Sequence, residues 1–211
     1  MQLTDIEVPK IHAEPLEACR GLLETPALAA VRAWRDDASP LVVLAGTVGT
    51  GKSLAAAWAL WDWWVTTRKV NPVTGYQWAH KGRCWIAAPH LARLQKWAKE
   101  VTELETAPML VLDDLGEEQA SDTAVAILSN LITTRFAERM PTAVTTNLDG
   151  KTFRERYGER IVDRVRECGL DDNGHARWWV RCSGESLRGK QEPVQRELPG
   201  DTDILPMGRP S

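Results

Sequence analysis

The chain has 211 residues, room for one α/β domain and not for two full ones. With 43% hydrophobic and 26% charged residues it has the balance of a globular protein with a real core, which excludes disorder or a fibre as a description of the whole. Lys+Arg 26 against Asp+Glu 29 leaves a formal charge of −3, so any contact with nucleic acid or an anionic membrane must come from a local patch.

The four cysteines, Cys19, Cys84, Cys168 and Cys182, form no C-x-x-C pair and read as reduced, mostly buried thiols, not as a zinc knuckle or disulfide framework. The N-terminal residues show no basic segment followed by an apolar one. The longest greasy run, Leu54 to Val65, contains Asp62 and is too short to span a bilayer, so a cytoplasmic protein without a membrane anchor is expected. The unusual number is 10 Trp against 2 Tyr and 2 Phe.

In chain order, residues 1–24 form a short extension. Thr25-Pro26 followed by Leu28, Val31 and Trp34 predicts a capped helix with an i, i+3, i+6 apolar face. Leu41 to Ala45 is a wholly apolar run suited to a strand buried on both faces. Leu54 to Val65 predicts a helix with Ala57, Leu60, Trp61, Trp64 and Val65 near one face. Asn71 to Gly82 is turn-like and long. A strand over Arg83 to Ala88, ended by Pro89, precedes a helix marked by Leu91, Leu94, Ala98 and Val101.

A third strand, Met109 to Leu112, stops at Asp113-Asp114. A helix from Asp122 to Arg139 with Val125, Leu128, Leu131 or Ile132 and Phe136 inside leads to a fourth strand, Thr142 to Thr146. A charged helix over Thr152 to Glu167 and a fifth strand, Arg177 to Arg181, complete a core of residues 25–190. Strands alternating with helices imply α/β architecture: a five-stranded, mainly parallel sheet with helices on both faces. Residues 191–211, rich in Pro and Gly and poor in apolar residues, read as a disordered tail.

Gly46-Thr47-Val48-Gly49-Thr50-Gly51-Lys52-Ser53 matches G-x-x-x-x-G-K-[ST] between a buried strand and a helix, the setting that a phosphate-binding loop requires. Glycines turn successive N–H groups toward a phosphate, the helix N-terminus adds positive potential, Lys52 neutralises β/γ oxygens, and the Ser53 hydroxyl can ligate Mg2+. Two adjacent carboxylates at a sheet edge are costly without a cation, so Asp113 reads as the Mg2+ support and Asp114 as the group that polarises the attacking water. Ligands sit beyond the carboxyl ends of parallel strands, so Asn147 can orient the lytic water if the fourth strand lies between the first and third. It reads equally well as a turn-former before Leu148-Asp149-Gly150.

Between Thr152 and Glu167 an apolar stripe (Phe153, Tyr157, Ile161, Val165) is flanked by an acidic one and by the basic stripe Arg156, Arg160, Arg164. Pairs such as Arg160–Asp163 and Arg164–Glu167 at i, i+3 suit a solvated face. One arginine can instead serve as a finger offered to a neighbouring subunit's γ-phosphate.

These pieces in this order resemble the AAA+ ATPases of the DnaC/IstB type, bacterial and phage helicase loaders and transposition helpers. The matching segments run from about Thr25 to Lys190: Gly46 to Ser53 as Walker A, Leu110 to Gly116 as Walker B, Arg135-Phe136, Thr145-Thr146-Asn147-Leu148 as sensor 1, Tyr157 to Val165 as box VII, and Glu185 to Lys190 as the closing segment. The resemblance implies a three-layer P-loop NTPase of AAA+ type that binds and hydrolyses ATP with Mg2+. It makes Arg164 the finger acting in trans and Arg188 a sensor-2-like residue facing the nucleotide. It further implies a replicative helicase as partner, single-stranded DNA binding, and a homo-oligomer in the ATP state. Loaders of this type usually carry a separate N-terminal region, and only about 25 residues precede the core.

Arg93, Lys96, Trp97 and Lys99 supply the ingredients of a DNA-stacking surface but read more readily as a solvated amphipathic helix. Trp34, Trp78 and Trp97 are left as candidates for an exposed partner surface. The leading expectation is a DnaC-like ATPase that delivers or remodels a helicase in DNA replication. The alternatives are an IstB-like transposition helper, a nucleotide-gated adaptor that hydrolyses ATP negligibly, and a small-molecule phosphotransferase.

Overall fold

The computed structural model describes residues 24–66, 84–94, 99–118, 121–184 and 186, without the side chains of Trp64 and Val65. Thr25 opens helix α1 (Pro26–Asp37): its hydroxyl accepts from Leu28 N at 3.1 Å, and Pro26 takes the first turn, where no N–H is needed. After a turn at Ala38, β1 (Leu41–Ala45) is buried at every residue. Helix α2 (Lys52–Thr66) follows the glycine loop, joined to α1 by an Arg35–Asp62 ion pair at 3.3 Å.

Next come β2 (Trp85–Ala87), the single turn α3 (Ala88–Leu91), α4 (Lys99–Thr106), β3 (Leu110–Leu115), α5 (Asp122–Ala137) and β4 (Thr142–Thr146). The chain continues with α6 (Gly150–Tyr157), α7 (Glu159–Glu167) and β5 (Trp179–Arg181). The sheet order is β2-β3-β4-β1-β5, and every ladder in it is parallel. β1 and β4 are buried at all positions, which requires helices on both faces. The strand order places β4 between β1 and β3, bringing the carboxyl ends of all three together.

Several elements differ from the sequence expectation. The second strand keeps three residues of the predicted six, because Ala88-Pro89 begins a helical turn: proline's fixed φ suits a helix start as well as a strand stop. The single helix expected from Leu91 to Val101 is not continuous, since α3 ends at Leu91 and Leu94 lies in a bend; residues 95–98 are outside the described residues.

β3 runs through the aspartate pair to Leu115 instead of stopping before it. The charged helix is two helices, divided at Gly158, whose φ of +86° takes the backbone out of the helix. The apolar stripe survives the break, with Phe153, Tyr157, Ile161 and Val165 all buried, but the charged pairing changes: Asp163 pairs with Arg166 at 3.2 Å, not with Arg160, while Arg164–Glu167 does form, at 2.5 Å.

Trp34 is 1% exposed, which removes it from the partner-surface candidates: it is the inward i+6 member of its own helix face. Trp85 and Trp178 are also buried, while Trp58, Trp61, Trp63 and Trp179 pack against the core as partly buried rings. Trp78, Trp97, Lys96 and Cys19, like the 1–23 extension and the 191–211 tail, lie outside the described residues. Cys84, Cys168 and Cys182 form no disulfide. Among the described residues, no helix is long and apolar enough to cross a membrane.

Candidate nucleotide-binding site

The loop from Gly46 to Gly51 joins β1 to the N-terminus of α2, with φ of +155°, +87° and +83° at Gly46, Gly49 and Gly51. Two of these glycines are demanded by space as well as by conformation. A Cβ on Gly46 would sit 2.0 Å from the Cys182 carbonyl oxygen, and one on Gly49 would sit 2.2 Å from Ser186 Oγ. The second contact shows that the closing segment reaches the loop at Ser186; Arg188 lies outside the described residues.

Thr50 Oγ1 donates to Thr47 O at 2.9 Å and tightens the turn. Lys52, 5% exposed, donates through Nζ to Gly46 O and Thr47 O, both at 2.8 Å, and to Asn147 Oδ1 at 3.0 Å. The ammonium is thus held over the loop by neutral carbonyl oxygens, partners that an anionic phosphate can outcompete.

At the end of β3 the ladder with β4 slips: Leu112 pairs with Val144 and Leu115 with Thr146, so Asp113 and Asp114 together oppose Thr145. Asp114 takes φ +56°, a left-handed conformation that aspartate tolerates better than most side chains. Thr145 Oγ1 donates to Asp113 Oδ1 at 2.7 Å and accepts from Asp114 N at 2.9 Å. Asp113 is 6% exposed. Burial pushes its carboxyl above the usual range, opposed by hydrogen bonds from Thr145 and Ser53 and by the Lys52 charge. A buried carboxylate beside a serine hydroxyl is the hard-oxygen donor set that suits Mg2+. Among the described residues no group of three or more His, Cys, Asp or Glu could hold a metal ion by itself.

Asn147, at the tip of β4, bridges two elements. Its Oδ1 faces Lys52 and its Nδ2 donates to Glu117 Oε1 at 3.1 Å. Nothing in the local sequence pattern singled out Glu117 as a site residue. Glu118 is buried: it accepts from Gly116 N at 2.9 Å, Arg156 Nε at 3.1 Å and Tyr157 Oη at 2.5 Å, and so clamps the loop after β3 onto α6. Arg156 thereby leaves the set of free basic residues.

Arg135, 0% exposed, is structural: it donates to Leu104 O at 3.0 Å, Glu105 O at 3.2 Å and Ala107 O at 2.5 Å around the end of α4, and to Pro141 O and Thr142 Oγ1, both at 2.9 Å. Burial lowers its pKa to about 10. Arg164 on α7 pairs with Glu167 and lies 5.4 Å from the Phe136 ring. The structure therefore brings together Gly46 to Ser53, Asp113, Asp114 and Asn147, while Arg164 is held within the α5–α7 packing of its own chain. Of the basic patch, Arg93 and Lys99 are exposed.

No family model matches the chain. Among curated proteins it is 28% identical over 64 residues to the replicative helicase loader DnaC of Buchnera aphidicola, covering 30% of this chain and 26% of that protein. It is 27% identical over 66 residues to DnaC of Escherichia coli, covering 31% and 27%. The matches thus span about a quarter of the length of these relatives.

Among solved structures, a DnaC helicase loader superposes with a TM-score of 0.53 at 21% identity, over 74% of this chain and 88% of that one. AMPPCP-bound DnaA from Aquifex aeolicus gives 0.55 at 16%, over 80% and 50%. DnaI gives 0.50 at 17%, over 79% and 86%. The fold is that of the AAA+ P-loop NTPases, and within it the sequence relationship is to the DnaC-type helicase loaders.

Proposed function

We propose that the chain binds and hydrolyses ATP with Mg2+ and acts in DNA replication as a DnaC-like loader of a replicative helicase. The observation that carries this reading is the meeting of Lys52, Asp113 and Asn147 at the carboxyl ends of β1, β3 and β4, against a glycine loop that opens a 15-residue helix. Gly46 to Gly51 offer backbone N–H groups to the phosphates, and Lys52 exchanges a loop carbonyl for a β/γ oxygen. Ser53 and Asp113 would hold Mg2+, which would supply neutralisation of phosphate charge. Asp114 and Asn147 handle the attacking water. Arg164 acts on a neighbouring subunit, Arg188 faces the nucleotide from the closing segment, and the ATP state is a homo-oligomer in the cytoplasm.

The names of the relatives, all helicase loaders among the curated matches described, support replication over transposition. Single-stranded DNA is proposed as the second partner. The test is turnover by wild type, Lys52→Ala, Asp114→Asn and Arg164→Ala, with and without single-stranded DNA and the host's purified replicative helicase. Wild-type turnover lost in all three variants and stimulated by helicase or DNA is expected. Full turnover in all three would overturn the site assignment, and tight ATP binding without turnover under any condition would favour the adaptor reading.

A further inference from the structure

The two ends of the Asn147 side-chain amide are nearly the same shape, so its orientation must be set by its neighbours. An ammonium can only donate and an ionised carboxylate can only accept. Lys52 Nζ stands 3.0 Å from one end and Glu117 Oε1 stands 3.1 Å from the other. Turned over, the amide would aim its NH2 at the ammonium and its oxygen at the carboxylate, losing both hydrogen bonds and meeting like charge at each. One orientation is therefore selected, with the carbonyl oxygen toward the phosphate loop.

Glu117 can hold that position because its neighbour is anchored. Glu118 is fixed by the Gly116 N–H and the Arg156 and Tyr157 side chains, and its backbone carbonyl accepts from Arg156 Nη2. On the strand side, Thr146 Oγ1 donates to Leu115 O at 2.6 Å and accepts from Leu148 N at 3.1 Å, which steadies the backbone on either side of Asn147.

We infer that Glu117 is a positioning residue that fixes the acceptor end of Asn147 toward the nucleotide, so that Asn147 takes a proton contact from the attacking water and does not donate to the γ-phosphate. This rests on the nucleotide reading above. When Lys52 turns to a phosphate, the hold of Lys52 on Oδ1 is released, but Glu117 still accepts only from Nδ2 and keeps the oxygen in place. The role is thus one of orientation and not of charge: any acceptor at residue 117 with the same reach serves.

The experiment compares wild type, Lys52→Ala, Glu117→Ala, Glu117→Gln, Asn147→Ala and the Glu117→Ala/Asn147→Ala double variant for steady-state ATP turnover and for equilibrium binding of a fluorescent ATP analogue. Glu117→Ala should lower kcat about tenfold, within the range of coupling energies for residues in contact, while the analogue binds no more weakly than to wild type. Glu117→Gln, whose amide oxygen can accept the same hydrogen bond, should recover most of the loss. The double variant should be no slower than Asn147→Ala alone.

Wild-type kcat in Glu117→Ala, Glu117→Gln as slow as Glu117→Ala, a double variant slowed by the product of the two single effects, or binding weakened as much as turnover would each overturn the inference. Wild-type turnover that Lys52→Ala abolishes and Glu117→Ala leaves intact overturns the role of Glu117 alone. Failure of the wild type to bind the analogue overturns the nucleotide reading and this inference with it.

Discussion

The Thr145 hydroxyl lies 2.7 Å from Asp113 Oδ1 and, as an acceptor, 2.9 Å from Asp114 N, so a single side chain from β4 holds both members of the aspartate pair. The extra residue that β3 carries opposite Thr145 takes two residues out of the regular ladder, and this hydroxyl ties both of them to β4. The bulge separates the two aspartates in position: Asp113 turns inward to the Ser53 and Lys52 side, and Asp114 sits at the left-handed position.

Thr145→Val keeps the shape of the side chain and removes its hydrogen bonds. We expect a stability loss of about 1–3 kcal/mol in urea denaturation, the cost of stranding a buried polar group. The Mg2+ concentration for half-maximal turnover should rise as well, because Asp113 loses a donor that favours its ionised form. Thr145→Ser should restore both. An unchanged Mg2+ titration in Thr145→Val would separate the hydroxyl from the metal site.

Gly46 faces the Cys182 carbonyl oxygen, and Cys182 N in turn donates to Ala45 O at 2.7 Å across the β1–β5 edge. Gly46→Ala must either break that edge or displace the loop, so a loss of about 3 kcal/mol is expected together with loss of nucleotide binding. Denaturation curves and analogue titration check it. Gly158→Ala meets no atom within 4 Å, but φ +86° with ψ 164° is a conformation that essentially only glycine adopts, so it should cost about 1–3 kcal/mol through the backbone alone.

Arg135→Met should cost at least about 3 kcal/mol, because the carbonyls of Leu104, Glu105, Ala107 and Pro141 lose a buried donor that no apolar side chain replaces. Arg135→Lys restores the charge but not the planar fork and should recover only part. Urea midpoints of the three proteins decide it.

Asp37 joins the end of α1 to the segment that leads into β5: it accepts from Ser39 Oγ at 2.5 Å and Trp178 Nε1 at 3.0 Å, with Arg177 at 3.9 Å. Chiefly the Ser39 hydrogen bond, then Trp178 and Arg177, hold its carboxyl below its usual 3.8, against a small opposing effect of burial. A carboxyl depressed in the folded state contributes stability that is present above its unfolded value and is lost as pH falls through the folded one. The Tm advantage of wild type over Asp37→Asn should therefore be full near pH 6 and shrink below about pH 4. A Tm gap that persists unchanged at low pH would count against the ionised carboxylate as its source.

Arg164 is proposed to work on a neighbouring subunit, which makes complementation its proper test. Arg164→Ala retains an intact phosphate site and Lys52→Ala retains an intact Arg164. Each should be inactive alone, and a mixture of the two should regain part of the turnover. Because the Arg164 guanidinium also packs over Phe136, a modest fall in Tm is expected in Arg164→Ala without loss of analogue binding. A mixture as inactive as its components would place the arginine outside the trans site.

The glycine loop and its setting between β1 and α2 were legible in the sequence because the pattern is local: Gly46 to Ser53 supply the turn, the lysine and the hydroxyl from one uninterrupted stretch. The apolar runs of β1, β3 and β4 were legible for a similar reason, since burial on both faces writes itself into every residue of a strand. Tertiary structure decided what local pattern cannot encode. Asn147 reads equally as a turn-former or a site residue in the sequence; the strand order, with β4 between β1 and β3, is what brings it to Lys52, 95 positions earlier. Glu117 and Glu118 look alike in sequence, yet one faces Asn147 and the other is buried under Arg156 and Tyr157. The aspartate pair marked a site, but the bulge that turns the two residues different ways depends on pairing with Thr145 across the sheet. Composition and periodicity report how a residue suits its own helix or strand; which side chains then meet is determined by strand order and register, which join residues far apart in the chain.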